Sequence, residues 1–329
     1  MPAEWEPHEA TWLSWPKDPA TFPPEIIDKV EAIYLRMIEE LARGERVDLL
    51  VEDRETQDKV SSLLKSTRNV VFHHVHTVDV WIRDYGPIFV KNSDVAATKW
   101  RFNAWGNKYD DLKEDEFNGM KVARLSSKRI FETNMVLEGG SIDVNGLGSC
   151  LTTKQCLLNG NRNPKMNTSE IESTLRDYLG VTNCIWLDSG ISGDDTDGHV
   201  DDIARFVGRK TVLCMSEKDQ NDENHVALSE NLASLRGAGD QDGNEIEVFT
   251  LQMPGKVEAP DGRLPASYAN FYIANSAVLV PIFDDPNDEH VIETLQRYFP
   301  DRRIVGIDCR PLVHGFGGIH CVTQQQPLA

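Results

Sequence analysis

Apolar residues fall at helical spacing over 25–43, where Ile26, Ile27, Val30, Ile33, Tyr34, Met37, Ile38 and Leu41 form one stripe at offsets of three and four. Pro24 stands just before it, where a fixed φ suits the first turn of a helix. Weaker helical stripes run over 54–65, 168–179, 222–235 and 287–299, the last introduced by Asp285-Pro286, which reads as an N-cap and an N1 proline. Short β-branched runs follow the helices at 47–51, 70–72, 184–187, 246–251 and 304–307. The most polar stretch, 110–116, reads as a surface loop. Helix alternating with short apolar strand predicts an α/β chain, and no low-complexity linker divides it, so residues 1–329 are expected to form one domain.

A second kind of segment recurs between these helix–strand units. A polar or small-residue start is followed by hairpin-like apolar strands at 81–90, 137–144, 198–207, 267–273 and 317–323. With Asp84, Glu138, His199, Tyr268 and Cys321 as markers, the steps are 54, 61, 69 and 53 residues, while the step through the chain ends is longer and carries an extra helix. A near-regular period with one unit split between the termini points to a closed ring of five modules, with the strand around 11–15 pairing with the one after Cys321. An open α/β sheet with evenly spaced strands fits the same periodicity.

Composition narrows the function. The chain has 53 Asp and Glu against 34 Lys and Arg, a net charge of -19. Such a surface is wrong for nucleic acid, whose phosphates need cations, and right for a cationic small molecule, which an acidic cleft concentrates. No apolar run reaches about 18 residues, so no membrane span is expected. The first residues lack the basic and apolar regions of a signal peptide, and the six cysteines show no CxxC spacing, so a reducing cytoplasm is the simplest setting. An oligomer is compatible with the sequence, but nothing specifies one.

In a ring, the starts of equivalent strands face one axis, where residues more than fifty positions apart meet. Cys321 is the best nucleophile candidate, because Gly315, Gly317 and Gly318 before it permit close backbone approach by a ligand. Cys150, Cys156, Cys184, Cys214 and Cys309 read as inert buried hydrophobes. His199 lies among Asp194, Asp195, Asp197, Asp201 and Asp202; on an extended strand His199 and Asp201 share a face, where a carboxylate can orient imidazole as a general acid or base. A hydrogen-bonded histidine in an acidic surface turn fits equally. The acids do not match a calcium loop, and neither His199 with Asp201 nor His74 with His76 has an evident third ligand, so no metal is expected. Trp81, Arg83 and Asp84 combine an aromatic face and a carboxylate, the physical solution for binding a guanidinium or ammonium group, although an Arg–Asp surface pair would look the same. Glu138, before Gly139-Gly140, is a further candidate carboxylate. Asn103 to Gly106 is a weaker contact candidate, with Trp105 reading as core.

Together these segments resemble the agmatine deiminase family, relatives of bacterial-type peptidylarginine deiminases. The matching pieces are Met1-Pro2-Ala3-Glu4-Trp5 through Trp15-Pro16, then 81–87, Leu137-Glu138-Gly139-Gly140, 196–201 and Gly317-Gly318-Ile319-His320-Cys321, in order along essentially the whole chain. The resemblance implies a pentein fold, a five-bladed α/β propeller of ββαβ modules with pseudo-fivefold symmetry. It implies that Cys321 is the nucleophile and His199 the general acid/base. It further implies that Asp84 and Asp201 grip the guanidinium, that Trp81, Glu138 and Gly318 line the substrate, and that Asp195 faces the substrate's amine. It implies no cofactor and hydrolysis of agmatine to N-carbamoylputrescine and ammonia through an amidino-cysteine (thiouronium). Asp197 and Asp202 stand where the family often has asparagine, and extra acid there would suit a doubly cationic substrate. The rivals are another guanidino-modifying activity, on arginine or peptidyl-arginine or by amidino transfer, and a non-enzymatic polyamine-binding ring. Free arginine would need cations for its carboxylate, and the strand starts offer none beyond Arg83 and Arg205.

Overall fold

The computed structural model describes residues 1–260 and 262–329. One motif is built five times: two antiparallel strands, a helix, and a third strand parallel to the second. A parallel return needs a crossover, which the helix supplies while covering the sheet. Four units run in sequence. Their strands are Ile88–Lys91, Val95–Arg101 and Arg129–Val136; Asp143–Val144, Ser149–Thr153 and Asn183–Leu187; Ala204–Gly208, Thr211–Ser216 and Glu247–Gln252; and Tyr272–Ile273, Ala277–Ile282 and Arg303–Asp308. The fifth unit is split. Gln324–Pro327 pairs antiparallel with His8–Ser14, with Thr11 opposite Gln325, and Arg46–Val51 and then Val70–His74 add in parallel. Helix Arg54–Leu63 connects the last two strands and accounts for the longer step through the ends. Burial falls toward the rim: in the middle strands Ser149–Thr153 and Ala277–Ile282 all or nearly all residues are inside, whereas the third strands Arg129–Val136 and Glu247–Gln252 are largely exposed.

The helices follow the apolar stripes. Ile27–Leu41 buries Val30, Ile33, Tyr34, Met37, Ile38 and Leu41, but starts three residues after Pro24, because 23–26 form a separate turn closed by Ile26 N–H to the Pro23 carbonyl at 2.9 Å. Thr168–Leu179 matches its expected span, its start set by a reciprocal cap between Asn167 and Glu170. Asp288–Tyr298 is preceded by Asn287, not capped by Asp285, whose carboxylate instead accepts Asn287 N–H at 2.8 Å. His225–Arg236 begins three residues later than its stripe suggests. The expectation of a surface loop at 110–116 fails. Residues Asp111–Glu114 form a 3₁₀ turn and Asp115 opens helix Asp115–Leu125; its buried carboxylate accepts Val78 N–H, Asp79 N–H and Asn118 Nδ2 at 2.7–2.9 Å.

No helix among the described residues is long and apolar enough to cross a membrane. What the architecture delivers is a set of five turns, each entering the first strand of a unit: Ile82–Tyr85, Gly139–Ser141, Val200–Asp202, the stretch 267–271, and 319–323.

Candidate active site

Those five turns bring Asp84, Glu138, His199, Asp201, Asn270 and Cys321 together. The Cys321 thiol receives Asn270 Nδ2–H at 3.2 Å and lies 3.7 Å from Asp201 Oδ2. Burial, then Asp201, Asp202 and Asp84, push its pKa well above the ordinary thiol value. Without a bound cation the sulfur therefore keeps its proton. Asp201 is fully buried; His320 Nδ1 lies 2.7 Å from its Oδ2, while Oδ1 has no partner. Burial opposes its charge, but His320, His199 and Arg205 hold the carboxyl below the usual range. Asp84 accepts Gly140 N–H on Oδ1 and the Trp105 indole N–H on Oδ2, both at 2.9 Å. Its pKa is raised by burial, against the pull of His199.

His199 is 1 % exposed and neither ring nitrogen has a hydrogen-bond partner; Nδ1 is 3.8 Å from Asp84 Oδ2. Burial alone would keep the ring neutral, yet Asp84, then Cys156 and Asp201, raise its pKa well above the ordinary value. His199 and Asp201 do not share the face of a strand, as their spacing suggests. Asp201 belongs to a 3₁₀ turn that His199 precedes, and the turn aims both inward. Glu138 is buried, with Oε1 accepting Arg162 Nε–H at 2.7 Å and Oε2 free of any partner. One ligand atom each from Glu138, Cys156 and His199 lie within 4.8 Å of one another, the group best composed for a metal among the described residues. His74 and His76 bond separately to Gln57 and Glu52 and do not converge.

A cavity of about 390 Å³ opens onto Cys321 and Asp84. Its walls include Trp81, Trp105, Tyr109, Phe316 and five aspartates, Asp18, Asp79, Asp84, Asp111 and Asp195. Among the described lining residues the one guanidinium is Arg263, tied to Asp222 at 2.7 Å. Asp195 takes the Tyr109 hydroxyl at 2.5 Å, and burial pushes its carboxyl up to about 6. Trp81 is fixed by its indole N–H to Asp79 at 2.8 Å. Gly318 does not line the cavity: a Cβ there would sit 2.5 Å from Asn270 Oδ1, so its bareness makes room for Asn270, whose Oδ1 accepts His320 N–H at 2.9 Å.

Several expectations change. Trp105 is a wall of the site as well as core, aimed at Asp84 by a backbone in the left-handed region from Ala104 to Asn107. Arg83 and Arg205 face away from the cavity. Arg83 donates to Gln325, Thr323 and the His320 carbonyl, and Arg205 to Asp143 and the Phe271 carbonyl, with Glu4 3.5 Å from the first and 3.0 Å from the second. Tyr268 turns its hydroxyl to Asp288 at 2.6 Å, leaving Asn270 as the site residue of that turn. Asp197 is taken up by Lys108, Asn161 and Arg162 at 2.7–2.9 Å and offers no free charge to a ligand. Asp202 is buried with its pKa raised well above the usual range by burial and by Asp201, so it adds no second anion; its Oδ1 accepts Asn270 Nδ2–H at 3.0 Å.

Sequence reasoning missed Asn270, His320, Arg162, Cys156 and Glu4. Glu4 holds His320 Nε2 at 2.8 Å. Each ring nitrogen of His320 thus faces a carboxyl group, Asp201 on one side and Glu4 on the other. The signals were present: Glu4 stands in the Met1–Trp5 segment and His320 immediately before Cys321.

Residues 1–327 match the model of the Porphyromonas-type peptidyl-arginine deiminase family. The chain is similar to an agmatine deiminase of Pseudomonas aeruginosa (strain LESB58), 37 % identical, with 99 % of this chain and 95 % of the relative covered. It is similar in structure to an agmatine deiminase of Enterococcus faecalis, with a TM-score of 0.91 and 31 % identity over 99 % of this chain and 95 % of the other. An amidinotransferase from Microseira wollei shares the mixed α/β fold alone, at a TM-score of 0.54 and 12 % identity over 99 % and 96 %.

Proposed function

We infer that this chain, which belongs to the Porphyromonas-type peptidyl-arginine deiminase family, hydrolyses agmatine to N-carbamoylputrescine and ammonia. The carrying observation is a cavity over a buried cysteine whose described lining holds five aspartates and no free guanidinium or ammonium. A substrate with a cation at each end fits those walls; free arginine would set its carboxylate among aspartates with no counter-charge. The five repeated units are the blades of a closed α/β propeller, and the whole chain serves as one catalytic domain. The N-carbamoyl product requires no cofactor chemistry.

Asp84 and Asp201 hold the guanidinium, each charged hydrogen bond contributing about 1.5–3 kcal/mol. Trp81 supplies an aromatic wall, and Asp195 takes the distal ammonium. The positive guanidinium beside Cys321 offsets the carboxylates that keep the thiol protonated, so the thiolate forms as substrate binds and its proton leaves to solvent. Sulfur attacks the guanidinium carbon. Asn270 Nδ2–H, already 3.2 Å from the sulfur, steadies the anion. His199, charged in the resting site, gives its proton to the departing nitrogen, and ammonia leaves an amidino-cysteine. The now neutral His199 takes a proton from water as its oxygen bonds to the same carbon. Collapse expels the thiolate and releases the ureido product.

Ammonia release from agmatine, arginine and an arginine peptide, compared side by side, tests this reading. Agmatine should be preferred, and Cys321→Ser and His199→Ala should each lose at least about a hundredfold in rate. Mutants with wild-type turnover refute the assignment. A polyamine-binding ring without chemistry would bind agmatine and release no ammonia.

A further inference from the structure

Cys156 lies beside the site, yet the reaction does not use it. The strand Ser149–Thr153 ends in a one-turn helix, Lys154–Leu157, whose cap residue Thr153 accepts Cys156 N–H at 3.2 Å. The same hydroxyl donates to the Gly198 carbonyl at 2.6 Å, clamping that helix to the residue before His199. The result is a soft sulfur, an imidazole nitrogen and a carboxylate oxygen within 4.8 Å of one another, all fully buried. Glu138 Oε2 and both His199 nitrogens have no hydrogen-bond partner. Buried polar atoms left without partners call for an explanation, and a bound ion is one.

We propose that Glu138, Cys156 and His199 form a binding site for a borderline-soft divalent cation, zinc above all, that switches the enzyme off by occupying its proton-transfer histidine. The donor set is decisive: thiolate plus imidazole selects zinc-like ions, whereas magnesium and calcium want oxygen alone. A tetrahedral zinc with sulfur at about 2.3 Å and nitrogen and oxygen at about 2.0–2.2 Å needs its ligands drawn inward by about 1 Å, and leaves one position for water. Local charge balances. Cys156 would bind as thiolate and His199 as neutral imidazole, both protons leaving to solvent; the thiolate and the Glu138 carboxylate would match the dication, while Arg162, 2.7 Å from Glu138 Oε1, keeps a second partner in Asp197 at 2.7 Å. The inhibitory consequence rests on His199 being the acid/base; the binding itself does not.

Two readouts separate those claims. Cobalt(II), added to the Cys321→Ser protein, should bind at one ion per chain and show a thiolate-to-metal charge-transfer band. The additional change Cys156→Ala should abolish the band. In the wild-type enzyme zinc should suppress ammonia release from agmatine and a chelator should restore it; Cys156→Ala, compared with its own zinc-free rate, should resist zinc by at least about tenfold. Cys156→Ser, closer in size, serves if the alanine variant is unstable. The proposal is overturned if the band survives loss of Cys156, if it vanishes in Cys321→Ser alone, or if zinc inhibits Cys156→Ala as it does wild type. A protein that binds cobalt as described yet never releases ammonia would instead sink the functional reading.

Discussion

Gly140 stands where the site can least accept a side chain. A Cβ built on it would lie 2.6 Å from His199 Nδ1, 3.0 Å from Asp201 Oδ2 and 3.0 Å from Asp84 Oδ1, against 3.4–4 Å for an ordinary contact. Gly140→Ala therefore demands a shift of roughly 0.8 Å from the imidazole and a few tenths from each carboxylate. Overpacking of this size costs about 1–3 kcal/mol of stability. The larger effect is on chemistry: a misplacement approaching 1 Å costs about a hundredfold, equivalent to about 2.7 kcal/mol of barrier. The substituted enzyme should fold, melt a few degrees lower, and lose at least about a hundredfold in kcat/KM for agmatine. Gly160→Ala is the control, since nothing lies within 4 Å of a Cβ there. Ammonia release and thermal melting, measured on both, decide the matter. Gly140→Ala turning over within about threefold of wild type would show that these three side chains do not form the reacting centre.

Asp195 carries a pH signature. With its carboxyl pushed up to about 6, it is neutral below that pH and anionic above it, so KM for agmatine should fall as pH rises from about 5 to about 7. Asp195→Asn should flatten this dependence. Glu4→Gln leaves the buried charges of Arg83 and Arg205 short of their anion and should destabilise by about 3–5 kcal/mol in denaturant titrations. Because these cations hold the Glu4 carboxyl far below its ordinary 4.5, its contribution is complete above that pH and is lost as pH falls toward the folded value. Asp197→Asn should lower the melting temperature, by loosening Lys108 and Arg162, while KM for agmatine stays within about threefold.

The period of the polar strand starts exposed the repeating architecture because each unit needs the same hydrophobic order to cover its sheet. Helix Thr168–Leu179 was legible to the residue, since its ends carry local signals. Helix Asp115–Leu125 was not, because its acidic start serves tertiary contacts with Val78 and Asp79, which leave no local trace. The same distinction divides the site. Cys321, His199, Asp84, Asp201 and Glu138 could be named from reactive residue types at recurring positions. Whether a charge faces ligand or protein could not: Arg83, Arg205 and Asp197 are spent on partners 35 to more than 200 residues away, such as Arg162, Lys108, Glu4 and Gln325, and Asp202 is neutralised by a burial that no spacing reveals. Asn270 and Cys156 were overlooked because an amide and an unremarkable cysteine announce nothing until folding sets them against sulfur and imidazole.

Gln324–Pro327 lies against His8–Ser14, and Leu328 N–H reaches the Pro7 carbonyl at 2.8 Å. The sulfur sits only three positions ahead of that final strand. The pairing of these two strands is thus tied by a three-residue link to a side chain held by Asn270, and fraying of that pairing would loosen the thiol's surroundings as well.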